Sequence, residues 1–143
     1  MSVLVLDASV AVKWFLPPTA ESLTDEADQL LQLFIRREVD FAVPDVFWAE
    51  LANVFWKAIR QNRLTKAEAE LALVSLTERK LPTVPSVDVI QVAFAIANAF
   101  QRSVYDSIYV AVAVQLNAQL ITADERLVRA LSLRYPVRWL GAI

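Results

Sequence analysis

The 143 residues include no cysteine and no histidine, and glycine occurs once, as Gly141. Without cysteine there is no thiolate catalysis, no disulfide and no cysteine-zinc site. Without histidine there is no Ser-His triad, no imidazole acid-base chemistry and no use of the commonest zinc ligand. Any metal must therefore be held by oxygen, which points to Mg²⁺ or Mn²⁺. The near absence of glycine excludes Gly-rich phosphate loops. An excess of basic charge is also missing: 14 Lys and Arg face 16 Asp and Glu, for a formal net charge of −2. That is not the profile of a general nucleic-acid binder, although global charge does not define one local groove. No run is long and apolar enough to span a bilayer, because Gln115, Asn117 and Gln119 interrupt the longest charge-free stretch. No basic region precedes Asp7 to open a signal peptide. A cytoplasmic protein with no membrane association is the expectation.

What the chain does have is apolar surface. Hydrophobic residues make up 57% of it, and its mean hydropathy is +0.42. The length suits one domain, residues 1–143, with one substantial core. The surplus suggests a protein partner or self-association. Ser2–Leu6 reads as a doubly buried strand and Ala8–Leu16 as a short helix stopped by Pro17-Pro18. Ser22-x-x-Asp25 has the pattern of a capping box. Leu23, Ala27, Leu30, Leu31, Phe34 and Ile35 form one helical stripe after it. Strands are expected at Asp40–Pro44, Thr83–Pro85, Gln119–Thr122 and Val137–Leu140. Helices are expected over Asp45–Gln61, from the Thr65-x-x-Glu68 capping box to Lys80, over Val87–Gln101, over Val104–Asn117 and from Asp124, with Asn117 as a left-handed cap. Strands alternating with helices indicate an α/β sandwich with a mainly parallel sheet. In such sheets ligands bind beyond the C-terminal ends of the strands.

Four acids stand in strongly apolar surroundings: Asp7, Glu50, Asp106 and Asp124. Three have ordinary structural readings. Asp7 can cap the helix that follows it, Asp106 can complete a capping box with Ser103, and Asp124 can cap the next helix or pair with Arg126. Glu50 lies mid-helix among Phe47, Trp48, Leu51, Val54 and Phe55, with Asn53 three residues on. Its ordinary alternative is a buried ion pair. Together the four define a second possibility. Clustered carboxylates raise one another's pKa and stay ionised only if a cation neutralises them. Two divalent ions roughly 4 Å apart can activate a water and stabilise the leaving oxygen of a phosphodiester, with no need of histidine.

The strings Leu6-Asp7-Ala8-Ser9, Glu50-Leu51-Ala52-Asn53, Tyr105-Asp106-Ser107 with Tyr109-Val110-Ala111-Val112-Ala113, and Ile121-Thr122-Ala123-Asp124 are each short and degenerate. As an ordered set along nearly the whole chain they are specific. In this set the chain resembles PIN domains, in particular the VapC-type toxin ribonucleases of toxin–antitoxin pairs. The resemblance implies a three-layer α/β/α sandwich around a mainly parallel sheet of four to five strands. It implies an Mg²⁺- or Mn²⁺-dependent endoribonuclease with Asp7, Glu50, Asp106 and Asp124 as acidic metal site and Ser9, Asn53 and Thr122 as polar supports. It also implies homodimers and a cognate antitoxin, VapB-like or other, laid along an apolar groove with a basic side chain presented to the acids.

Lys13, Lys57, Arg60 and Arg126 are candidate contacts to RNA phosphates, against the alternative of solvated surface charge. The apolar helix Val46–Ile59, together with Leu23–Ile35, is the expected partner groove. Two other functions compete. One is a non-catalytic binding module whose acidic notch receives a partner's basic side chain. The other is a phosphohydrolase with Asp7 as nucleophile, although Asp7-Ala8-Ser9 lacks the second acid of the common DxD arrangement.

Overall fold

The computed structural model describes residues 2–143; Met1, where the expected domain begins, lies outside them. Five strands form one parallel sheet in the order β3-β2-β1-β4-β5. They are β1 (Ser2–Leu6), β2 (Val39–Pro44), β3 (Thr83–Val84), β4 (Gln119–Thr122) and β5 (Val137–Trp139). Val5, Leu6, Phe41, Val43, Leu120 and Ile121 are buried on this sheet. That burial explains why the strands read as continuous apolar runs and not as alternating ones. With the right-handed connections that parallel strands require, this strand order places α1 (Ala8–Ala11), α2 (Thr24–Ile35), α3 (Val46–Arg60) and α4 (Lys66–Thr77) on one face of the sheet. It places α5 (Ile90–Phe100), α6 (Val104–Gln115) and α7 (Glu125–Leu131) on the other. The result is the three-layer α/β/α architecture.

With almost no glycine, the chain turns its helix ends on other residues. Arg37, Asn62, Lys80, Gln101 and Asn117 follow α2 to α6, and each has positive φ. Around Arg37, Asn62 and Asn117 paired backbone bonds close the last turn, as in Asn117 N–H to Val114 at 3.1 Å and Ala118 N–H to Ala113 at 2.9 Å. The lone Gly141 sits where a Cβ would come within 2.5 Å of the Trp139 ring.

Some expectations change. The helix expected over Ala8–Leu16 is α-helical only to Ala11, then tightens into a 3₁₀ turn at Val12–Trp14 before the two prolines. Ser22 caps nothing: Leu23 adopts a left-handed conformation at the start of α2, and no side chain caps that helix. The Thr65–Glu68 capping box forms in both directions. The Ser103 box forms in one direction only, with Ser103 Oγ accepting from the Asp106 amide at 3.0 Å. Val87 belongs to a 3₁₀ turn, Ser86–Asp88, and α5 begins at Ile90.

The expected groove between α2 and α3 is not where the open apolar surface lies. Phe47, Leu51, Phe55 and Ala58 bury one stripe of α3, and α1 and α4 pack against it. The open groove runs instead between α2 and α4, lined by Phe15, Leu31, Phe34, Ile35, Leu76 and Arg79, and continues to Leu71.

Candidate active site

The strand order reverses between β1 and β4, because β1 continues to β2 on one side and β4 leads to β5 on the other. A crevice opens beyond the C-terminal ends of such a pair of strands. Asp7 directly follows β1, and Asp124 stands two residues after β4. The ladder reaches into the site, with the Asp7 amide donating to Ile121 O at 3.2 Å.

Asp7 is held from three directions. The Thr122 hydroxyl donates to its Oδ2 at 2.7 Å and the Ser9 hydroxyl donates to the same oxygen at 2.9 Å, while the Ser9 amide points at Oδ1 from 3.5 Å. The two hydroxyls also accept. Ser9 Oγ takes the Ala123 amide at 3.2 Å, and Thr122 Oγ1 takes the Asp124 amide at 3.1 Å. Ser9 and Thr122 thus tie the β1 and β4 ends together through the Asp7 carboxylate. Asp124 caps α7 with Oδ1, which accepts from the Arg126 amide at 3.0 Å and the Leu127 amide at 3.2 Å. Its capping reading is therefore correct, and its Oδ2 remains outside those bonds.

Asp7, Glu50 and Asp106 lie within one another's fields, and Asp124 acts on Asp106. Burial pushes the Asp7 carboxyl above its ordinary value; bonds from Thr122 and Ser9 pull it back, and Asp106 adds a push. Burial pushes Glu50 up to about 7, with Asp7 and Asp106 adding to the rise and Tyr109 opposing it. Asp106 is raised by burial and then by Asp124, against Ser103 and Arg102. Three helices and two strand ends thus bring the acids into mutual repulsion, with Glu50 reaching in from α3 and Asp106 from the first turn of α6.

The arrangement is apposed, not closed. Among the described residues, no three acidic side chains approach closely enough to form a ready-made cage for a metal ion. The donor chemistry still fits a hard cation. All the candidate ligands are carboxylates, Glu50 Oε1 is buried with no hydrogen-bond partner, and mutual repulsion is what a cation relieves. Mg²⁺ in particular keeps several waters and takes only one or two carboxylates directly, so it does not need a closed cage.

The other candidates separate. Asn53 is exposed one turn from Glu50 and takes no part in the Asp7 network. Lys57 and Arg126 are exposed. Arg60 is exposed too, with its guanidinium 5.1 Å from the Trp56 ring centre. Lys13 stands apart: its side chain is 7% exposed and pairs with Glu21 at 3.1 Å, and Arg63 reaches the same carboxylate at 3.6 Å. Its ammonium is committed to this internal triad and is not a free phosphate contact. Two residues given no role in the sequence reading lie beside these acids. Tyr109 lies three residues after Asp106, on the same side of α6, and its hydroxyl is buried beside Glu50 and Asp7. Arg102 puts its positive charge near Asp106. The signals for Tyr109 in the sequence are its three-residue spacing from Asp106 and its place in the string Tyr109-Val110-Ala111-Val112-Ala113.

A family model described as PIN domain matches residues 4–131. A relative named Ribonuclease VapC3, from Pyrobaculum aerophilum, is 30% identical over 126 residues, covering 87% of this chain and 91% of its own. Among solved structures, the chain is similar to the crystal structure of PAE2754 from Pyrobaculum aerophilum, with a TM-score of 0.66 at 20% identity over 99% of this chain and 85% of that one. It is also similar to VapBC2 from Rickettsia felis, solved bound to a DNA fragment from their promoter, with a TM-score of 0.65 at 13% identity over 96% and 98% of the two chains. At these identities the solved structures bear on the fold alone.

Proposed function

The chain belongs to the PIN domain family, and from that premise we propose that it is a metal-dependent endoribonuclease acting as the toxin of a toxin–antitoxin pair. The observation that carries the reading is the Asp7 carboxylate. It is fixed by Ser9 and Thr122 at the β1–β4 switch point, in the fields of Glu50 and Asp106. Asp7, Glu50, Asp106 and Asp124 would hold Mg²⁺ or Mn²⁺. Bound there, such an ion supplies activation of water at neutral pH and stabilisation of the leaving oxygen. The protein's own part is orientation. Ser9 and Thr122 fix Asp7, the α7 amides fix Asp124, and Lys57 and Arg126 are the exposed cations available for RNA phosphates, with Asn53 as a further polar contact. The relative's name supports RNA as substrate, and we take single-stranded or looped RNA as its form.

The antitoxin belongs in the α2–α4 groove in this reading, because that is where apolar side chains remain open. Solved structures of like fold include toxin–antitoxin complexes, and we take such a partner for this chain. The exposed face of α5, where Ile90 is 39% and Phe94 61% exposed four residues apart, is the surface offered for a homodimer. The 143 residues would act as one cytoplasmic domain. No helix among the described residues is long and apolar enough to cross a membrane.

The lack of a preformed cage favours one alternative, a non-catalytic module whose acidic notch takes a partner's basic side chain. Cleavage of a fluorescent single-stranded RNA separates the two. We expect cleavage that requires Mn²⁺ or Mg²⁺ and that drops by at least about 100-fold in Asp7→Asn and Asp106→Asn, with both variants folded. Variants that cleave as fast as the parent would refute the site. A parent that neither cleaves nor binds Mn²⁺ at millimolar concentration would favour the binding module.

A further inference from the structure

Three buried polar atoms in this region have no hydrogen-bond partner: Arg102 Nε beside α6, Glu50 Oε1 on α3 and the Tyr109 hydroxyl on α6; the last two face the same acids. Tyr109 is 2% exposed and is the bulkiest fully buried side chain among the described residues. A phenylalanine would fill the same space without burying an unbonded hydroxyl, so simple packing gives no reason for the oxygen. The hydroxyl lies in the fields of Asp7 and Glu50 and close to the Ala8 backbone. Its ring is fixed by the core, whereas Glu50 sits on a flexible stem and is half-buried.

We infer that Tyr109 is a positioning residue for Glu50: its hydroxyl donates to Glu50 Oε1 and leaves the second carboxylate oxygen directed at the space shared with Asp7 and Asp106. The inference rests on the reading of the four carboxylates as a cation site. The oxygen of Tyr109 then has a function in place of a packing role. It pairs with Glu50, whose Oε1 is buried and unbonded, whereas the Asp7 carboxylate is held by Ser9 and Thr122 and that of Asp124 by the α7 amides; at Asp106 only the backbone amide is bonded, to Ser103. Hydrogen bonds that orient a metal-binding side chain commonly change metal affinity by roughly 10- to 100-fold.

The test is Tyr109→Phe in the full chain, which removes one oxygen and no packing volume. Mn²⁺ alone is titrated calorimetrically into parent, Tyr109→Phe and Asp7→Asn, and the thermal midpoint of each is measured in EDTA. We expect the Mn²⁺ dissociation constant of Tyr109→Phe to rise about 10-fold while its midpoint in EDTA stays level or increases. Cleavage lost at low Mn²⁺ should be largely restored at saturating Mn²⁺. A dissociation constant within about twofold of the parent's, with or without a lower midpoint, would make Tyr109 a core side chain and overturn the inference while the cation site stands. A parent that binds no more Mn²⁺ than Asp7→Asn would overturn the cation site first, and this inference with it.

Discussion

Glu50→Gln should stabilise the metal-free protein at alkaline pH and leave it unchanged at acid pH. Burial, with Asp7 and Asp106 nearby, moves the Glu50 carboxyl from 4.5 to about 7 in the folded state. The sign follows from linkage. Below 4.5 the group is protonated whether folded or unfolded, and the substitution changes little. As pH rises from 4.5 to 7 the unfolded chain loses this proton and the folded chain keeps it, so stability declines. Above 7 the folded protein carries the full penalty of an ionised Glu50 among other acids. At about 1.4 kcal/mol per pH unit the penalty has an upper bound of about 3.4 kcal/mol. Solvent access to a half-buried side chain reduces it to about 2 kcal/mol. Glutamine keeps the shape and removes the charge. The midpoint of Glu50→Gln in EDTA should therefore exceed the parent's by about 5 °C at pH 8 and match it near pH 4.5. Circular dichroism melts across this range read the effect directly. Millimolar Mn²⁺ should raise the parent's midpoint at pH 8 more than the variant's, because only the parent has the charge to neutralise. A variant less stable than the parent at pH 8 would mean that Glu50 has a favourable cationic partner, and the repulsion argument would be wrong. A gap that does not vary with pH would refute it equally.

Two further substitutions separate structural from functional surfaces. Lys13→Ala leaves Glu21 with only the longer Arg63 contact, and should cost about 2 kcal/mol of stability with no change in KM for RNA per folded molecule; a raised KM at unchanged midpoint would restore Lys13 as a phosphate contact. Leu71→Arg alters a side chain that is 71% exposed at the end of the α2–α4 groove. Its stability should stay within about 0.5 kcal/mol of the parent's and cleavage should persist, while inhibition by the protein of the neighbouring reading frame weakens by at least about tenfold; full inhibition would move the antitoxin to another face.

The layers were legible because their signals are local and repeated. Continuous apolar runs mark β1, β2 and β4, and Thr65 and Glu68 announce α4 by chemistry that lies within four residues. Ser22 misled for an equally local reason. The box pattern is present, but Leu23 turns left-handed and no side chain caps α2, a backbone choice that the four-residue motif does not encode. The expected groove failed at a longer range. The apolar content of α3 shows that it is covered, but not by what, and the cover proves to be α1 and α4. Lys13 reads as surface charge until Glu21, eight residues away, is brought to 3.1 Å by the turn between them.

At the site, the structural and functional readings of an acid turn out to be compatible. Asp124 spends Oδ1 on two α7 amides, and a carboxylate has about four acceptor positions, so capping leaves Oδ2 free and fixes its direction. Asp7 likewise accepts from Ser9 and Thr122 and retains acceptor capacity. A cap therefore orients the carboxylate, as a binding group needs. Sequence reasoning that sets caps against ligands discounts acids that do both. Glu50 is the converse case. No cap fixes it, its Oε1 is unbonded, and burial with Asp7 and Asp106 nearby raises its carboxyl to about 7. If the four acids share a cation, Glu50 should be the one whose conformation changes most on binding, and Asp7 the one that changes least. Side-chain carboxyl NMR of metal-free and metal-loaded protein would show large shifts at both residues from charge alone, but an altered side-chain torsion only at Glu50; a rearranged Asp7 would contradict the role assigned to Ser9 and Thr122.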